Sequence, residues 1–170
     1  AHPQPQFEGH GLSLIPCKTA LWVNALGERI GPVPLVTGFD THHLCEQVSQ
    51  QPHGYTWQVL NLDIAARELA ISGADHNEQL KNRNAFRFIW NTLTANNALV
   101  NQMVNESRDF ICADSLSDLV DKMNQLAGAN HIQTEHLQQQ LEAFDRQILR
   151  GENFYTDDQL RRIALMRRWR

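Results

Sequence analysis

No apolar run in this chain of 170 residues approaches the ~20 residues that a helix needs to cross a bilayer, and the N-terminus carries no signal-peptide pattern. The expected location is therefore the cytoplasm, with no membrane contact. Cysteine is scarce. Cys17, Cys45 and Cys112 are odd in number and lack metal-ligand spacing, which sets aside both a disulfide scaffold and a cysteine-rich zinc site. His42 and His43 are adjacent, so on a helix they point about 100° apart and suit a solvated face better than a shared ion. No metal is expected. With a net charge of −4 the chain lacks the electrostatic footprint of a nucleic-acid binder. A Gly-x-Gly-x-x-Gly turn is also missing: Gly9-His10-Gly11 has the first spacing, but Leu14 stands where the third glycine belongs. Finally, there is no Arg or Lys from Ile30 to Ala66.

What is present is amphipathic. Phe110, Ile111, Cys112 and Ala113 read as a short buried strand, after which Ser115 opens a helix whose stripe is Leu116, Leu119, Val120, Met123 and Leu126. Gly128 stops it. A second helix starts at Thr134, carries Leu137, Leu141, Phe144 and Ile148 on one face, and ends at Gly151. Upstream, the residues from Ala20 to Ile30 read as a hairpin joined through Asn24, Ala25, Leu26 and Gly27, with Gly27 at positive φ. A helix follows from Asp40 to about Gln50, then a strand over Tyr55–Asn61, then a short helix capped by Asp63. The dense asparagines between Asp75 and Glu106 favour two or three short helices over one long one, with Phe86, Ile89, Trp90 and Leu93 forming one packing face and Leu99, Val100, Met103 and Val104 a separate one. Thr156 with Gln159 reads as a capping box for the last helix. The sum is α+β: a small, mostly antiparallel sheet with several packed helices.

The C-terminal arginines, Arg161, Arg162, Arg167, Arg168 and Arg170, do not share one narrow stripe, whereas Leu160, Ile163 and Ala164 suggest a buried face. Nucleic acid is not the expected partner.

Two stretches carry a resemblance. Ala-Asp-Ser-Leu-Ser-Asp-Leu from Ala113, followed by Phe144-Asp145 and Gly151-Glu152-Asn153-Phe154, resembles the substrate-capping domain of the fumarate reductase and 3-ketosteroid dehydrogenase family of FAD-dependent oxidoreductases. Phe144-Asp145 stands where that family usually has Tyr-Asn. The segment Val23-Asn24-Ala25-Leu26-Gly27-Glu28-Arg29-Ile30 is similar to the family hairpin Val-Asn-x-x-Gly-x-Arg-Phe. More weakly, His2-Pro3-Gln4 resembles the His-Pro-Thr segment that precedes the cap in fumarate reductases.

The resemblance implies a cap that closes over flavin and substrate during hydride transfer at a carbon next to a carbonyl. On that basis residues 1–19 are expected to lead in from a missing FAD domain, 20–154 to form the capping domain, and 155–170 to lead back. FAD belongs to the full-length protein, and this fragment is expected to bind none and to be inactive alone. Its partners are then the missing FAD-binding domain and a small-molecule substrate, with self-association through the exposed domain interface. His2 is the residue whose substrate-holding role the resemblance transfers, and His10, flanked by glycines that permit close approach, is a second substrate-binding candidate. Fumarate reductases carry a proton-delivering Arg soon after the hairpin, where this chain has no basic residue, so a less acidic, steroid-like or otherwise apolar substrate is expected. The catalytic residues are not assigned. The competing reading is a stand-alone protein-interaction module with no catalytic role.

Overall fold

Alternation fails at Leu21–Asn24 (β1), where every side chain is buried, so this strand must be covered on both faces. In the computed structural model, which describes residues 19–31, 41–69 and 97–168, its partner is Thr56–Val59 (β2). The two pair antiparallel with Leu21 opposite Val59 and Asn24 opposite Thr56. On the other edge of β1 the chain folds back on itself: Val23 bridges Arg29, and the Ile30 amide donates to the Trp22 carbonyl at 2.8 Å.

The remaining described elements are helical. In chain order they are α1 (Thr41–Ser49), α2 (Leu62–Glu68), α3 (Asn97–Glu106), α4 (Leu116–Ala127), α5 (Thr134–Leu149) and α6 (Asp158–Arg168). Short 3-10 turns fall at Pro52–Gly54 and Glu152–Phe154. The class is α+β, as the sequence pattern implies. The chain divides into two compact units, one built on residues 60–112 and the other on 18–59 with 113–170.

In the first unit α2 packs on α3, joining Ala65, Ala66 and Leu69 to Leu99, Val100 and Met103 as buried residues. The cap of α2 is Asn61, whose Oδ1 accepts from the Ile64 amide at 2.9 Å, and Asp63 sits inside the first turn. Either residue could cap by type. Asn61 wins because it is the last extended residue before the helical turn.

The second unit contains the sheet and the helical pair. Ser115 Oγ accepts from the Asp118 amide at 3.2 Å, opening α4 as its sequence signal requires. The helix closes in a Schellman arrangement, Gly128 at φ +66 with its amide on Gln125 and the Ala129 amide on Asn124. The Asn124 side chain then clips the link to α5, donating to the Ile132 carbonyl at 2.9 Å and accepting from the Ile132 amide at 3.0 Å. Val120 and Met123 of α4 and Leu137 and Phe144 of α5 are buried as these helices pack together.

Beyond the cap at Asn61 in place of Asp63, two further local expectations are corrected. Phe110–Ala113 is not a strand. These residues join the two units, Cys112 is exposed, and a four-residue apolar run cannot by pattern alone be told from a half-covered link. Thr156 does not cap α6. Its hydroxyl donates to Gln147 at 3.0 Å, while Asp157 Oδ1 accepts from the Leu160 amide at 3.0 Å and forms the cap. The face of Phe86, Ile89, Trp90 and Leu93 lies outside the described residues.

Gly27 fixes the hairpin twice over. Its φ is +81, and a Cβ built there would lie 3.0 Å from Ile132 Cγ2. Gly27→Ala is expected to destabilise the protein by about 2–4 kcal/mol, combining the left-handed cost with overpacking against Ile132. Urea unfolding measures it, with Ser115→Ala as a calibrating loss of about 1 kcal/mol. A change at Gly27 no larger than that calibration would show that the hairpin is free to shift away from Ile132.

Candidate functional site

The hairpin motif has a physical explanation residue by residue. Asn24 accepts at one side-chain oxygen from the Leu26 amide at 2.9 Å and the Glu28 amide at 3.0 Å, and its Nδ2 donates to Glu28 Oε2 at 2.9 Å. Its main chain closes the same turn, accepting from the Gly27 amide at 3.0 Å and donating to the Glu28 carbonyl at 2.8 Å. A single side chain thus satisfies two amides that a tight reversal would otherwise leave without a partner in the protein.

Arg29 then fastens this hairpin to the helices. Its Nη1 lies 2.6 Å from Asp157 Oδ2, its Nη2 donates to Gln159 Oε1 at 3.2 Å, and its guanidinium carbon stands 4.7 Å above the centre of the Phe144 ring. The Asp157 side chain is 4% exposed and that of Arg29 16%. Asp157 works twice, capping α6 through Oδ1 and holding Arg29 through Oδ2. Gln159 also works twice, since its Nε2 donates to the Ala20 carbonyl at 3.3 Å. Charge, cap and ring contact therefore converge on the junction of β1, α5 and α6.

A second convergence lies at the turn end of the sheet. His53 adopts a left-handed backbone at φ +63, and its ring stacks on His131 with centroids 4.2 Å apart. Tyr55 lies beyond it and meets Trp57 edge-on at 5.8 Å. His136 approaches Gly27 nearby. His131 Nδ1 and His136 Nε2 are buried, so His53 presents the exposed imidazole of this corner. The stack joins the turn before β2 to the link before α5, and such ring pairs contribute roughly 0.5–1.5 kcal/mol beyond area burial.

His2 and His10, the substrate-binding candidates, lie outside the described residues. His42 is exposed on α1. Among the described residues no group of three or more His, Cys, Asp or Glu is placed to hold a metal ion, and no helix is long and apolar enough to cross a membrane.

These features define an α+β unit in which a hairpin is bolted to a helical pair. Comparison with known proteins places that unit. The chain is 33% identical over 165 residues to a KsdD-like steroid dehydrogenase of Mycolicibacterium smegmatis, a match that covers 97% of this chain and 30% of that protein. Two KsdD-like steroid dehydrogenases of Mycobacterium tuberculosis are 34% and 33% identical, each over 98% of this chain and 29% of their own length. The chain is thus homologous to a part of the KsdD-like steroid dehydrogenases, in agreement with the resemblance carried by its motifs. It spans about three tenths of the length of these curated relatives. No family model matches the chain, and no solved structure matches it significantly.

Removing the Arg29 charge should be costly because Asp157 stays behind in a buried place. Arg29→Met is expected to destabilise by about 3–5 kcal/mol, and Asp157→Asn by a similar amount, with the double variant less damaged than their sum. Chemical denaturation of the four proteins closes the cycle. A coupling under about 0.5 kcal/mol would mean that the pair is not what fastens the hairpin.

Proposed function

We propose that this chain is the capping part of an FAD-dependent, KsdD-like dehydrogenase, acting in the cytoplasm and inactive on its own. The observation that carries the reading is the coincidence of order and extent: the Asn24-Gly27-Arg29 hairpin and the Ser115–Phe154 helical pair fold as one unit, and nearly the whole chain aligns with under a third of a steroid dehydrogenase. The flavin, bound by the rest of the polypeptide, would accept the hydride. The part played by these residues is to cover the reacting centre, exclude water and complete the substrate site. His2 and His10 keep their proposed place as substrate contacts.

The substrate class follows from charge. With no Arg or Lys between Ile30 and Ala66, the segment after the hairpin offers no cation to a dicarboxylate, which favours an apolar carbonyl compound of the steroid kind. The partners are accordingly that small molecule and the flavin-binding remainder of the same polypeptide.

The protein expressed from the complete reading frame should purify yellow, release stoichiometric flavin on denaturation, and oxidise an apolar ketosteroid with a kcat/KM at least about a hundredfold above its fumarate-reducing activity. The 170-residue chain alone should be colourless. A complete protein that takes up no flavin on reconstitution would refute the assignment and favour the stand-alone interaction module.

A further inference from the structure

The apolar stripe of α5 runs further than the core that receives it. Leu137 is fully buried and Phe144 5% exposed, whereas Ile148 on the same face is 42% exposed and the adjacent Leu149 84%. Past the reversal at Gly151, Phe154 is 72% exposed, and Leu165 on α6 is 54% exposed. This reversal is a built structure. The Gly151 amide donates to the Ile148 carbonyl at 3.1 Å, the Phe154 amide to the Gly151 carbonyl at 2.9 Å, and the Glu152–Phe154 turn packs on α6. Large apolar side chains are therefore held outward by a hydrogen-bonded backbone, at the end of a helix whose Leu137 and Phe144 are buried.

The charges around the corner are of both signs, with Arg146, Arg150, Asp145 and Glu152 all exposed. An apolar centre with a mixed polar rim has the anatomy of a protein–protein contact, and it lacks the one-signed field that a nucleic acid or an anionic membrane would select. The relatives offer a source for such a contact, since more than two thirds of each lies beyond the aligned part.

We propose that this corner, formed by Ile148, Leu149 and Phe154, is the face on which a second folded domain of the same longer polypeptide docks, continuing the α5 stripe with its own apolar side chains. The inference rests on the reading of the chain as part of a larger dehydrogenase.

Trypsin cutting after Arg150, at the tip of the reversal, reports whether the corner is covered. Followed by mass spectrometry, the Arg150–Gly151 bond should be cut about tenfold more slowly in the protein from the complete reading frame than in the 170-residue chain. Leu149→Asp and Phe154→Asp in the complete protein should restore fast cutting, and in the 170-residue chain should leave the unfolding midpoint unchanged because both side chains are already exposed. Equal cutting of the two wild-type proteins overturns the proposal. So does protection of the 170-residue chain that grows with its own concentration and vanishes with Leu149→Asp, which assigns the corner to a second copy. A complete protein that binds flavin yet is cut freely at Arg150 removes the docking face alone, whereas one without flavin removes the reading beneath it.

Discussion

A guanidinium that is largely withdrawn from water needs a fixed counter-charge, and Arg29 has one in Asp157. This pair decides more than its own geometry. Because Asp157 is also the cap of α6, the start of that helix is set by the place where the hairpin delivers Arg29. Because Gln159 reaches the Ala20 carbonyl, the same helix also fixes the entry to β1. The Phe144 ring beneath the guanidinium brings α5 into the arrangement. One buried pair thereby sets the register among three elements that are far apart in sequence, a role better attested for buried ion pairs than net stabilisation.

The turn that presents Arg29 is correspondingly over-determined. Asn24 supplies acceptors to two amides, Gly27 takes the left-handed backbone, and Ile132 fills the space that a Cβ would need. Ile132 is itself clipped by Asn124 of α4. Hairpin and helical pair are thus coupled at both ends, through Arg29 at one and Gly27 at the other. The resemblance to flavoenzyme caps is carried in part by Asn24, Gly27 and Arg29 of this hairpin.

Local physics was legible in the sequence wherever a signal acts over one turn. Ser115, Gly128, Gly27 and the α5 stripe all stand where their chemistry placed them. The failures share a cause. Phe110–Ala113 looked like a strand because its composition is apolar, but a strand also needs an edge to pair with, and that requirement is non-local. Asp63 and Thr156 lost their capping roles to Asn61 and Asp157, competitors close by with equal chemical standing. The convergence of Arg29 with Asp157, and of His53 with His131, had no local signal at all, since each joins residues from opposite ends of the unit.

The functional argument follows from the same distinction between local and distant causes. The strongest chemistry among the described residues, the Arg29–Asp157 ion pair and the Asp157 cap, is engaged in holding the fold. The His131 and His136 rings each turn one nitrogen inward, where it is buried without a hydrogen-bond partner. The second unit also presents apolar surface, with Leu149 and Phe154 exposed on a braced reversal among charged side chains of both signs. On the reading proposed above, such a surface suits a part that acts by covering something else, and a part of that kind would be indispensable to a reaction while performing none of its steps.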